Sequence, residues 1–205
     1  MGQKRVAYGR NRPLVSVACR DVCGLPDIII HEYFVYNLMK RKDNSEEIFP
    51  VVDESGKVTG SATRGECHGG SRLLHPVVHL HVFDTSGRLY LQRRPDWKDI
   101  QPGKWDTAVG GHVDYGEDVE SALRREAREE LGLEGFDARP LGSYVFESAR
   151  ERELVNAFSC VTDVAPCPSD ELDGGRFWTT EEIAANIGKG VFTPNFESEY
   201  RRLFG

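Results

Sequence analysis

Gly111–Leu133 reads GHVDYGEDVESALRREAREELGL, a short glycine-containing loop followed by a helix, and the placement of its carboxylates decides the fold. On a helix of 3.6 residues per turn, Glu126 and Glu130 share a face with Val119 and Leu123. Glu129 flanks that stripe, and Ser121, Arg124, Arg125 and Arg128 take the opposite side, where solvent is expected. An amphipathic helix ordinarily turns its charges outward, because an ionised carboxylate on the inward face is costly unless something compensates it. A bound cation would compensate it.

Glutamates three and four residues apart project side by side, so Glu126, Glu129 and Glu130 can converge on one centre. Hard oxygen ligands of this kind suit Mg²⁺, with Mn²⁺ as an alternative. The plainer alternative is a surface helix with ordinary glutamate–arginine salt bridges. The full spacing separates the two. Gly111 is followed after five residues by Glu117, after seven more by Arg125-Glu126, after Ala127 and Arg128 by Glu129-Glu130, and after Leu131 by Gly132-Leu133. This pattern resembles the Nudix box. Ala127 stands where the family prefers a bulky aliphatic, a departure that touches packing and not chemistry.

Outward from the box, 205 residues suit one domain with extensions, and 39% hydrophobic with 29% charged residues is a globular composition. A net charge of −7 argues against a nucleic-acid surface. Five cysteines at 19, 23, 67, 160 and 167, an odd number without paired CxxC spacing, indicate neither a disulfide framework nor a zinc ribbon. A reducing compartment follows, with the cytoplasm as default. No apolar run is long enough to span a membrane and no signal-peptide layout appears, so neither membrane nor nucleic acid is an expected partner. A homodimer is compatible with the sequence.

Residues 1–38 carry a net charge of +2, leaving −9 on the remainder. Met39-Lys40-Arg41-Lys42 looks like a natural start, so residues 1–38 are expected to be a poorly ordered extension and residues 39–205 the domain that contains the box. Within it, residues 48–52 and 57–62 read as strands joined by a turn at Asp53–Gly56. Val78, Leu80 and Val82 alternate with His79 and His81 on a further strand, where the two histidines read as hydrogen-bonding or surface residues. Strands are expected again at 88–93, 138–147 and 155–161. Thr179 with Glu182 forms a capping box for a short helix, and Thr193-Pro194 opens a C-terminal one. The pattern is that of an α+β protein. The Nudix resemblance implies the same class, as an α/β/α sandwich with a mixed central sheet and a catalytic loop-helix.

A narrower resemblance covers residues 46–200 and is strongest over 68–133. His68 and His75, Arg93-Arg94 with Lys98, Pro102-Gly103-Lys104-Trp105-Asp106, Gly111-His112 and Glu151-Arg152-Glu153 look like the isopentenyl-diphosphate isomerase branch of the superfamily. That branch implies a second metal site at His68, His75, His112, Glu151 and Glu153. Read as residues alone, Glu151 and Glu153 share one face of a strand by period two, which points both at one centre or both at solvent. The isomerase chemistry itself fails here. Its cysteine position is Gly110, and the tryptophan after the Thr-Pro of the C-terminal segment is Asn195.

The departures favour a Mg²⁺-dependent hydrolase that cleaves the diphosphate linkage of a small organic pyrophosphate. The alternatives are an isomerase-like prenyl diphosphate enzyme and a noncatalytic ligand sensor. Glu126 and Glu130 are the expected Mg²⁺ ligands, Glu129 a third ligand or general base, and Glu117 a further ligand or support. Glu153 is a second candidate base from outside the box. Arg93, Arg94 and Lys98 are the expected diphosphate-binding cations, against the alternative of a solvated strand end. Trp105 could stack on the substrate or anchor a turn. Gly110 and Gly111 let backbone approach the diphosphate closely.

Overall fold

The computed structural model of the protein describes residues 44–98 and 100–205, so the expected extension over residues 1–38 lies outside the described residues. β1 (Ile48–Val52) and β2 (Val58–Thr63) form an antiparallel ribbon. Its turn closes because the Asp53 carboxylate accepts the backbone N–H groups of Ser55 and Lys57 at 2.9 and 3.1 Å. One helical turn, α1 (Arg64–Cys67), follows. It lies outside the elements expected from the sequence, although Thr63 and Glu66 carry a capping box at the required spacing.

The main sheet is built from β3 (Leu74–Phe83), β4 (Leu89–Arg93), β5 (Trp105–Thr107), β6 (Val109–His112), β7 (Arg139–Glu147), β8 (Arg152–Val161) and β9 (Gly175–Trp178). Its strand order is β5-β4-β3-β8-β7, with β6 paired to β3 and β9 to β4. At its centre β3 and β8 run parallel, from Leu74 opposite Arg152 to Phe83 opposite Val161. Their neighbours pair antiparallel, so the sheet is mixed. Parallel neighbours need a long crossover, and this one carries α2 (Val119–Leu131), the box helix. α3 (Thr180–Asn186) and α4 (Pro194–Phe204) close the chain.

The alternation along β3 sorts the two faces. Val78, Leu80 and Val82 pack with Ala122, Leu123, Ala127 and Leu131 of α2, while Phe192 and Phe196 of the C-terminal segment pack with Leu89, Leu91 and Trp178 in a second cluster. Ala127 is fully buried here, so the small side chain at that position sits in the packed interior. The result is an α+β sandwich around a mixed sheet. β6 is the main departure from expectation: Gly110-Gly111-His112 is a strand paired to His79, Val78 and Val77, where a loop was expected. Two glycines in a row carry no strand signal of their own, and only pairing with β3 fixes them.

Candidate active site

α2 is fixed at both ends. Asp118 caps its N-terminus by accepting the Ser121 N–H at 2.9 Å. Gly132 ends it in a left-handed conformation at φ 62°, and the Ser169 and Cys167 N–H groups take the Glu130 and Leu131 carbonyls. Between these ends, Glu126 turns inward, its side chain 15% exposed, whereas that of Glu129 is 54% exposed. Glu130 accepts the Gly110 N–H at 3.1 Å. Burial pushes the Glu126 carboxyl up to about 7, against the opposing effect of Arg125. Burial, and then the Glu126 carboxylate, drive Glu130 well above the ordinary range.

Helical periodicity alone puts Arg125 in solvent, whereas the family resemblance implies that it orients a neighbouring glutamate, and the structure has it bonded to Glu117 and Glu126. Its guanidinium folds back over the box, donating to both Glu117 oxygens at 3.0 and 2.9 Å, to Glu126 at 2.8 Å and to the His112 carbonyl at 2.9 Å. A long side chain rooted on the outer edge of a helix can reach around it, which Cα angles do not convey. Glu117 therefore faces Arg125, and its carboxyl sits below the usual range chiefly through those hydrogen bonds. The role of Gly111 is steric, since a Cβ there would fall inside the Glu126 carboxyl.

On the other side of β6 lies a histidine cluster. Donor atoms of His68, His75, His112 and Glu153 all fall within 4.8 Å of one another. Glu151, just ahead of β8, stands outside that group with its carboxylate 3.7 Å from His68 Nδ1. Phe49 stacks on His112 with ring centroids 4.3 Å apart, and on His75 at 5.7 Å. The His75 Nδ1–H donates to the Leu73 carbonyl at 3.1 Å, which leaves a lone pair on Nε2. That Nε2 is buried with no hydrogen-bond partner. Burial holds His75 and His112 below the ordinary imidazole pKa and pushes Glu153 up to about 7. An orphaned imidazole nitrogen beside two further imidazoles and a buried carboxyl is a donor set that fits a divalent cation.

Of the two expectations for this pair, hydrogen bonding and surface exposure, His79 meets the first, and neither His79 nor His81 lies at the surface. Both are buried against Glu199 of α4, His79 Nδ1 at 2.9 Å and His81 Nε2 at 3.4 Å, and the Thr107 hydroxyl donates to the same carboxylate oxygen at 3.2 Å. Burial works against the His79 imidazolium, but Glu199 outweighs it and holds the ring at about 9. Glu199 itself is held far below the carboxylate range by the two histidines, despite its burial. Helical spacing sets Glu199 three residues after Phe196 and four before Leu203, on the apolar side of α4, the kind of signal that singled out Glu126, but nothing local names its histidine partners.

The expected diphosphate cations are engaged within the protein. Arg93 pairs with Asp173 and, at 3.6 Å, with Asp96. Arg94 donates to the Ile100 carbonyl at 3.0 and 3.1 Å and to Asp106 at 3.3 Å. Lys98 lies over the Trp97 ring at 4.9 Å. Trp105 packs edge-on against Trp178, with ring centroids 5.1 Å apart, and its backbone N–H and carbonyl bond Val191 and Thr193. Of stacking and anchoring, this is the anchoring arrangement.

Residues 73–196 match the family model described as the NUDIX domain. An uncharacterized Nudix hydrolase of Yersinia pestis is 35% identical over 146 residues, 71% of this chain and 79% of that protein. An isopentenyl-diphosphate Delta-isomerase of Agromyces mediolanus is 34% identical over 131 residues, 61% of this chain and 64% of the isomerase. Among solved structures, that of DR0079 from Deinococcus radiodurans superposes with a TM-score of 0.68 at 29% identity, covering 78% of this chain and all of that one.

Proposed function

Because the chain belongs to the Nudix family and is a pyrophosphohydrolase acting on acid anhydrides, we propose that it hydrolyses the diphosphate linkage of a small organic pyrophosphate in a Mg²⁺-dependent reaction. The observation that carries this reading is the pairing of Glu126 and Glu130, side by side on the inward face of α2, with carboxyls raised by burial even though Arg125 donates to Glu126.

In this reading Glu126 and Glu130 are the primary ligands of the cation. Glu129, the most exposed of the three, is the third ligand or, swung toward the cleft, the group that takes the proton of the attacking water. Bound there, a divalent cation would supply charge neutralisation to the two phosphates and acidify that water. Glu117 and Arg125 position the set: their bidentate pair fixes the loop ahead of α2, and Arg125 in turn fixes Glu126. The Gly110 N–H orients Glu130. The box and the histidine cluster meet at His112, whose carbonyl holds Arg125 and whose ring faces His68. A second cation at His68, His75, His112 and Glu153 fits that donor set. Glu151 would bear on His68 from outside. Cys67, Cys160 and Cys167 are free thiols, which suits a reducing, cytoplasmic setting.

Isomerisation is the second reading, supported by the similarity to the Agromyces enzyme and opposed by Gly110, which has no side chain to carry a proton. A screen of nucleotide, sugar-nucleotide, coenzyme and prenyl diphosphates tests both readings at once. Phosphate-containing products that disappear with chelator and in Glu130→Gln support hydrolysis, with a loss of at least ~100-fold in kcat expected for that variant. Interconversion of prenyl diphosphates without bond cleavage would overturn it, and so would full turnover by Glu130→Gln.

A further inference from the structure

His79 stands in register with Gly110 across β3 and β6, so the two residues present to the same face of the sheet. Its ring is held from behind. Nδ1 meets the buried Glu199 carboxylate at 2.9 Å, and that carboxylate is held in turn by Thr107 and His81. A carboxylate only accepts, so Nδ1 carries a proton and donates it, which fixes the rotation of the imidazole and turns the Nε2 end away from α4. Nε2 points along the open side of Gly110. Among the described residues, a Cβ at Gly110 would find only His79 Cδ2 and Nε2 within 4 Å, at 3.6 and 3.7 Å. Gly110 is exposed there, and its N–H holds the Glu130 carboxylate. The space above this glycine is therefore walled by one imidazole edge and lies one hydrogen bond from the box.

We propose that His79 is a substrate-binding residue, its Nε2–H donating to a phosphate oxygen of the diphosphate seated over Gly110, with Glu199 as the residue that orients the ring. This rests on the diphosphate-hydrolase reading above. Glu199 also keeps the imidazole protonated at neutral pH, so both ring nitrogens are donors and the one facing Gly110 is charge-assisted toward an anion. A role confined to tying α4 to the sheet would use Nδ1 alone, and an asparagine amide can take over that single bond.

Calorimetric titration of the full chain in Mg²⁺ with methylenediphosphonate, a diphosphate that cannot be hydrolysed, tests the proposal without relying on turnover. His79→Asn keeps a donor toward Glu199 and removes Nε2. Gly110→Ala leaves the His79–Glu199 pair in place and sets a methyl group against the ring edge. Each variant, once shown by circular dichroism to be folded at the assay temperature, is expected to bind on the order of 10-fold more weakly than the natural sequence. Binding like the natural sequence by either folded variant overturns the proposal, and if His79→Asn does not fold, Gly110→Ala decides alone. Failure of the unaltered protein to bind the diphosphonate at all is a different result: it overturns the diphosphate reading itself, and this proposal with it.

Discussion

His68 and His112 face each other through their Nε2 atoms at 3.0 Å, a separation at which one nitrogen must donate and the other accept. Arg64 decides which. Its guanidinium donates to His112 Nδ1 at 3.2 Å, so that nitrogen carries the lone pair and the His112 proton sits on Nε2, aimed at His68. A cation can use His112 Nε2 only after that proton moves and Arg64 releases Nδ1. Arg64→Gln removes both the tautomer lock and a nearby positive charge. It is expected to tighten Mn²⁺ or Zn²⁺ binding at the histidine cluster several-fold, read by calorimetry on chelator-treated protein; weaker binding would show that Arg64 supports the site.

Arg125 ties the loop, the helix and β6 together through Glu117, Glu126 and the His112 carbonyl. Truncation leaves two partly buried carboxylates and a carbonyl short of a donor. Arg125→Ala should lose about 2 kcal/mol of stability in urea titration and most of its activity. Arg125→Lys should recover little of either, because one ammonium cannot make the bidentate contact with Glu117. Recovery by lysine would reduce the role to bulk charge.

Gly111 is a matter of space. A Cβ there occupies the position of the Glu126 carboxyl, the far end of a flexible side chain. Gly111→Ala should therefore fold, with a melting temperature within a few degrees of the natural sequence, while Glu126 is pushed aside and kcat falls by an estimated ~10-fold or more. An active Gly111→Ala would remove Glu126 from the proposed ligand set.

The buried His79–Glu199 pair makes stability depend on pH. His79 titrates near 9 when folded against an ordinary 6.5. Its contribution is complete below 6.5 and fades as pH rises toward 9. Glu199 is depressed from 4.5, so its contribution stands above 4.5 and is lost as the solution is acidified below that. The charged groups bearing on His79 are Glu199 from α4, Glu153 from β8 and Asp106 from β5. The gap in melting temperature between the natural sequence and His79→Asn should be widest between pH 4.5 and 6.5 and close by about pH 9. A gap that widens above pH 7 would show that the imidazole is neutral in the fold.

The sequence by itself determined the box helix, its inward carboxylates and the strands around it. These follow from short-range rules: 3.6-residue periodicity placed Glu126 and Glu130 beside Leu123, period two separated Val78, Leu80 and Val82 from His79 and His81, and Thr179-Glu182 and Thr193-Pro194 marked helix starts. The tertiary structure alone decided which side chains reach one another. Arg125 left its expected solvent face because partners eight residues back and on another strand attract it. β6 exists because β3 supplies its hydrogen bonds. Glu199 became the partner of His79, 120 residues away, because the sandwich lays α4 across the sheet. Local spacing encodes the direction in which a residue points, whereas burial and charge pairing depend on chain segments that only the completed fold brings within a few ångströms.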